Sequence, residues 1–148
     1  MPDSLKPIER RPLNPGALPE LLGYRLRLAQ QAVFRDFAAS VQGLSPGRVG
    51  LLITIDANPG LTQSRLAEFA QRDRSTMVGV LDHLEARGLI ERRRGSDRRT
   101  NGLWLTRAGR SLLARALRNI ARHERRIAAR LSAAERRQLL ALLGKIST

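Results

Sequence analysis

Cysteine is absent from all 148 residues, which excludes disulfides, thiol redox sensing and zinc–thiolate sites. Histidine occurs only at His83 and His123, too far apart along the chain to suggest a metal site. Aromatic residues amount to 3%, so a core has to come mostly from Leu, Ile, Val and Ala. No segment approaches the ~18 apolar residues that a membrane span needs. Residues 1–19 hold five prolines and some basic residues, but not the apolar stretch of a secretory signal. Acids are scarce and scattered, and no Ser-His-Asp set, phosphate-cradling glycine loop or paired-carboxylate site is present. These absences lead to the expectation of a cytoplasmic protein that is not an enzyme. It has no catalytic residues, no metal, no cofactor and no membrane association.

What remains is a basic chain with enough apolar content, 42%, to build a core. Its length suits one ordinary domain. Lys+Arg number 27 against 13 Asp+Glu, a net charge of +14, and lysine supplies only Lys6 and Lys145. The planar fork of arginine matches phosphate oxygens and the guanine edge. A charge this high favours polyanions, whether DNA, RNA or an anionic membrane. A solvated arginine-rich surface is the plain alternative. The excess is uneven: +2 over residues 1–60, +5 over 61–110 and +7 over 111–148.

Along the chain, residues 1–19 read as an extended arm, because Pro2, Pro7, Pro12, Pro15 and Pro19 block helix and ladder formation. A helical period runs from residue 20 to about 41, through Leu21, Leu22, Leu28, Ala29, Ala32, Val33 and Phe37. Ser45-Pro46 opens a second helix to about Asp56, ended by Asn58-Pro59-Gly60. Thr62 caps a short helix through Ala70, with Leu66, Ala67 and Phe69 among its apolar residues. Asp73 caps another over residues 74–87, and Gly88 stops it. Two short helices joined by a tight polar turn are the helix-turn-helix layout. Residues 89–94 and 103–105 are strand-like around a polar, basic turn over residues 95–102, which predicts a β-hairpin. Thr106 caps a long helix to about Leu131, and Ser132 with Glu135 forms a capping box for the last one. The fold class expected is mainly α with a small β-hairpin wing.

In the helix after Asp73, Met77, Val80, Leu81 and Leu84 share one apolar face. Arg74, Ser75, Thr76, Val78, Gly79, Asp82 and His83 largely face elsewhere. The second helix of this motif lies in the major groove. There Arg74 suits guanine, Ser75 and Thr76 suit bases or phosphate, and Val78 suits a thymine methyl. Gly79 permits close approach to the DNA backbone. The run at residues 92–99 puts five arginines in eight positions, a density that calls for an anion such as the narrow minor groove. Arg94, Asp97, Arg98 and Arg99 are its candidate contacts, with Asp97 placed to orient Arg99. The terminal helices carry more leucine and isoleucine than a thin hairpin could cover, which asks for another layer, from the first helix or from a second chain.

Residues 73–92, then Gly95-Ser-Asp-Arg-Arg-Thr and Leu105-Thr-Arg-Ala-Gly109, resemble the MarR family of bacterial and archaeal regulators. The resemblance covers roughly residues 20–146. It implies a homodimer whose terminal helices pair, and whose winged domains read a pseudo-palindromic operator in double-stranded DNA. The domain boundaries that follow are an extended N-terminal arm (1–19), a dimerisation helix (20–44), a winged helix-turn-helix domain (45–106) and C-terminal dimerisation helices (107–148). Gly79 departs from the family, which often has a larger polar residue there. The resemblance also implies a small aromatic anion as effector. Leu22-Gly-Tyr-Arg-Leu-Arg is similar to members that respond to hydroxycinnamoyl-coenzyme A thioesters. Tyr24, Arg25, Arg27 and Phe34 are the candidate effector residues. Arg115, Arg118, Arg122, Arg125, Arg126 and Arg130 fit either a solvated face or contacts with phosphate or effector. A repressor released by such a ligand is the leading expectation. A nonspecific architectural nucleic-acid-binding protein is the alternative.

Overall fold

The computed structural model describes residues 12–95 and 101–147. After a short 3-10 turn at Leu18–Glu20 come helices α1 (Leu22–Ser40) and α2 (Pro46–Ala57), then strand β1 (Leu61–Thr62). Helices α3 (Gln63–Phe69) and α4 (Arg74–Ala86) follow. Strands β2 (Ile90–Arg94) and β3 (Asn101–Leu105) precede α5 (Arg107–Ile127) and α6 (Ala133–Ile146). The chain divides into two compact units, one ending at Val33 and the other beginning at Phe34.

Five helices start where a short polar side chain can satisfy an orphan backbone N–H. Ser45, Thr62, Asp73, Thr106 and Ser132 accept from the N–H of Arg48, Arg65, Thr76, Gly109 and Glu135. Each such cap contributes about 1 kcal/mol. At Ser132 the capping box closes in both directions. Gly88 ends α4 at φ +68°, a conformation that costs an L side chain.

The structure departs from expectation in four places. Pro19 does not forbid helical turns, because it sits in the first turn of the 3-10 segment, where no N–H is needed. Residues 1–11 of the expected arm lie outside the described residues. α5 stops at Ile127 instead of about Leu131, since Leu131 N–H turns back to the Ala128 carbonyl ahead of the next cap. The wing is a three-stranded antiparallel sheet in the order β1-β3-β2, because Leu61 and Thr62 pair with Leu103 and Gly102. β3 also begins at Asn101, inside the segment read as a turn.

The core of the second unit is aliphatic. Leu52 and Ile55 of α2, Leu66 of α3, and Met77, Leu81 and Leu84 of α4 are fully buried with Ile90 and Leu103 of the sheet. Leu113 and Ala116 of α5 join it. The seam between wing and α5 is tight. Thr106 Oγ1 donates to the Gly88 carbonyl (2.6 Å) and Thr106 N–H donates to the Leu89 carbonyl (3.1 Å). A Cβ on Gly109 would lie 1.9 Å from that Leu89 oxygen. α6 buries nothing: Leu139, Leu140, Leu142 and Ile146 are 43–55% exposed.

His123 is 2% exposed, and its Nδ1 lies 2.5 Å from Asp36 Oδ2. Arg126 donates two bonds of 3.0 Å to the same carboxylate, and Ser40 Oγ donates to the Asp36 backbone carbonyl (2.5 Å). The Phe37 ring meets the imidazole edge-on. First the hydrogen bonds from Arg126, then that from His123, hold the Asp36 carboxyl well below the usual carboxylate range.

Two outcomes follow from this packing. Gly109→Ala costs about 3 kcal/mol through overpacking, read as a lower urea midpoint. Asp36 is depressed in the folded chain, so its stabilisation is present above the ordinary carboxylate pKa and is lost as pH falls. The melting temperature is expected to drop between about pH 5 and about pH 2, and less steeply in Asp36→Asn. Parallel wild-type and variant curves would remove Asp36 from this role.

Candidate nucleic-acid interface

α4 separates two faces. Met77, Leu81 and Leu84 are buried, whereas Arg74, Ser75, Thr76, Val78, Gly79 and His83 are exposed. Gly79 has nothing within 4 Å of where a Cβ would stand, so that point of the helix is open to close approach.

The cap at Asp73 restricts what its neighbours can do. Its Oδ1 accepts from Ser75 Oγ (2.6 Å) and Thr76 N (2.8 Å), and its Oδ2 accepts from Thr76 Oγ1 (2.6 Å). Hydrogen bonds from Ser75 and Thr76 hold the Asp73 carboxyl well below the usual range. A hydroxyl has one proton. Ser75 and Thr76 give theirs to Asp73, so what they leave outward is acceptor capacity. They therefore suit the amino groups of adenine or cytosine better than phosphate oxygens.

The arginine run does not behave as one outward patch. Arg92 turns inward, its side chain only 18% exposed. Its Nη2 donates to Asp82 Oδ1 (2.7 Å) and Gln63 Oε1 (3.4 Å), and its Nη1 pairs with Glu85. Its backbone N–H also donates to Glu85 Oε1 (3.3 Å). Arg92 thus ties β2 to α4 and α3. Arg93 pairs with Glu91 and lies over the Trp104 ring, 5.3 Å from its centroid. That ring occupies space left by Gly60 and Gly102, where Cβ atoms would come within 3.1 and 2.5 Å of it. Arg94, opposite Asn101 in the last pair before the connection between the two strands, is exposed. Asp97, Arg98 and Arg99 lie outside the described residues.

The expected effector residues fall in both units. In the first unit, Arg25 Nε donates to the Pro19 carbonyl (2.8 Å), and Arg27 lies 5.3 Å over the Tyr24 ring. Phe34 opens the second unit and is 51% exposed. Sequence reasoning missed a groove of about 400 Å³ in the second unit. Val41, Leu112 and Ala116 line it together with Arg115, Asn119 and Arg122. It also missed the Asp36–His123–Arg126 cluster, whose only local signals are Asp36/Ser40 and His123/Arg126 at helical spacing.

Comparison with known proteins agrees with this geometry. The MarR family model matches residues 44–100. A relative from Thauera aromatica, described as a putative transcriptional regulatory protein for the hcr operon, is 42% identical over 135 residues. That match covers 88% of this chain and 81% of the relative. The transcriptional repressor CouR bound to a 23-mer DNA duplex superposes with a TM-score of 0.89 at 43% identity, over 93% of this chain and all of that one. CouR bound to p-coumaroyl-CoA gives a TM-score of 0.84 at 41% identity, over 92% of this chain and 98% of that one. A winged helix-turn-helix with an exposed recognition face, matched by relatives of this similarity along nearly its whole length, places the chain in the MarR family of DNA-binding transcriptional regulators.

Proposed function

We propose that the protein is a homodimeric repressor that reads a pseudo-palindromic operator and is released by an aryl-coenzyme A thioester. The observation that carries the DNA part is the exposed face of α4, tied through Arg92 to the wing. Arg74, Val78, Gly79 and His83 face the major groove, with Ser75 and Thr76 as acceptors. Arg94 and the loop with Asp97, Arg98 and Arg99 follow the adjoining minor groove. A nonspecific architectural binder would gain nothing from a recognition helix held this firmly against its wing.

The dimer reading is supported by α6. A helix with leucines at 43–55% exposure and no buried residue lacks a partner layer, and a second copy supplies one by symmetry. The arm, dimerisation helices and winged domain retain the boundaries given above under this reading.

The effector reading is supported by CouR, which at 41% identity binds p-coumaroyl-CoA. Such a ligand combines a planar ring with phosphates. Tyr24, Arg25 and Arg27 offer an aromatic face and two guanidinium groups, and Phe34 offers an exposed ring. The groove with Arg115, Asn119 and Arg122 is a second candidate seat, because it sets an apolar wall beside two arginines.

Genomic pulldown with sequencing is expected to recover a palindromic site. On that duplex, Arg74→Ala lowers affinity about tenfold or more, and does so far less on scrambled DNA, as loss of a base contact requires. Arg94→Ala weakens both duplexes alike and flattens the salt dependence by about 1 for each subunit bound. Equal affinity of the wild type for operator and scrambled duplex would favour the architectural reading.

In the same binding assay, p-coumaroyl-CoA is expected to release the duplex and free p-coumarate is not. Arg25→Ala/Arg27→Ala and Arg115→Ala/Arg122→Ala then separate the two seats, because only the true one raises the thioester concentration needed for release. A thioester that leaves DNA affinity unchanged at saturation ends the effector reading.

A further inference from the structure

Arg72 occupies an awkward position. Its guanidinium lies against the first turn of α2, where a Cβ on Gly47 would stand 2.8 Å from Nη2 and 3.8 Å from Cζ. That turn is the positive end of the helix dipole, a poor place for a cation. Arg48 adds like charge next door. Gly47 itself weakens the helix relative to alanine. Gln71, immediately before Arg72, holds φ +51° as the left-handed residue that closes α3, its N–H donating to the Glu68 carbonyl and that of Arg72 to the Ala67 carbonyl. A cation set against the positive end of α2 is the local concession that calls for a function.

The surroundings name its chemistry. Arg65, Arg72 and Arg74 line one cleft of about 420 Å³ with Ser64, Glu68 and Asp73. Among the described residues no acid is bonded to Arg72. Asp73 has its oxygens engaged by Ser75 and Thr76. Glu68 shares the cleft, and three arginines still outnumber two acidic residues among those that line it. Arg74 is also the first residue of the recognition helix, so a duplex read by α4 brings its backbone past this cleft.

We propose that Arg72 contacts a duplex phosphate without regard to sequence, and that Gly47 is its positioning residue, kept free of a side chain so that the guanidinium can lie against α2 at the edge of the cleft that Arg72 lines with Arg65 and Arg74. This rests on the groove-binding reading of α4.

The test uses the full chain, a mixed-sequence duplex and three variants: Arg72→Ala, Gly47→Ala and the double variant. Arg72→Ala is expected to weaken binding roughly fivefold to tenfold per subunit at 0.1 M salt, and to lower the salt slope by about 1 for each subunit bound. Gly47→Ala displaces only the end of a flexible side chain and improves helix propensity, so it melts no lower than the wild type. It is nevertheless expected to weaken DNA binding at least threefold, and to have no further effect once Arg72 is alanine. A purely structural role for Gly47 cannot raise stability while lowering affinity in this coupled way. The inference is overturned if Arg72→Ala leaves affinity and slope unchanged. That includes the case in which it changes only the response to p-coumaroyl-CoA, which would assign the phosphate to the ligand. It is also overturned if Gly47→Ala keeps wild-type affinity, or weakens binding equally with and without Arg72. A wild-type chain that binds no duplex overturns the groove-binding reading itself, and this inference with it.

Discussion

The inward turn of Arg92 is the constraint on which the reading surface depends. Its planar guanidinium spans two carboxylates, Asp82 and Glu85, on one face of α4 and reaches Gln63 of α3. A lysine ammonium, a point donor, could not hold both carboxylates and the amide in fixed directions. The bond set joins three elements that would otherwise share only aliphatic contacts, which resist separation but slide more easily. A winged protein must present helix and wing to neighbouring grooves at one relative setting, so this directional tie matters more than the modest energy of a partly exposed ion pair.

The tie also sorts the charges. The chain has few acids, and near the interface four of them have structural tasks: Asp82 and Glu85 hold Arg92, Asp73 caps α4, and Glu91 pairs with Arg93. Arg74 and Arg94 have no acid partner among the described residues. The positive potential toward a duplex therefore comes from where the few carboxylates are engaged as much as from the number of arginines.

What could be read from sequence was what is local. Ser45, Thr62, Asp73, Thr106 and Ser132 were legible as caps because each bond spans only three residues. The apolar face of α4 was legible from its period. β1 was not, since a strand of two residues acquires meaning only by pairing with Leu103 and Gly102. Arg92 was indistinguishable from its neighbours in a basic run, because its partners sit seven and ten residues away on another element. The Asp36–His123 contact spans 87 positions, with no pattern to announce it. α5 was read too long because Ala128 and Ala129 favour helix, and its end is set by the cap of the following helix. Phe69, counted among the apolar residues of α3, is 73% exposed, since its neighbours Leu66 and Ala67 already fill the inner face of that short helix.

Under the proposed reading, α5 is the element through which a ligand would act on DNA binding. Its 21 residues make a rod about 30 Å long. Near its start, Thr106 and Gly109 lock it to the carbonyls of Gly88 and Leu89, at the root of the wing, with no room for a single methyl group. Along its middle, Arg115, Asn119 and Arg122 border the groove. Toward its end, His123 and Arg126 clamp Asp36. A helix held this closely at its first turn cannot slip against the wing, so any shift imposed at the groove moves wing and recognition helix together. Loss of operator contact then requires no unfolding of the winged unit, only its displacement as a body. The directional tie at Arg92 keeps the two reading elements in register while that happens.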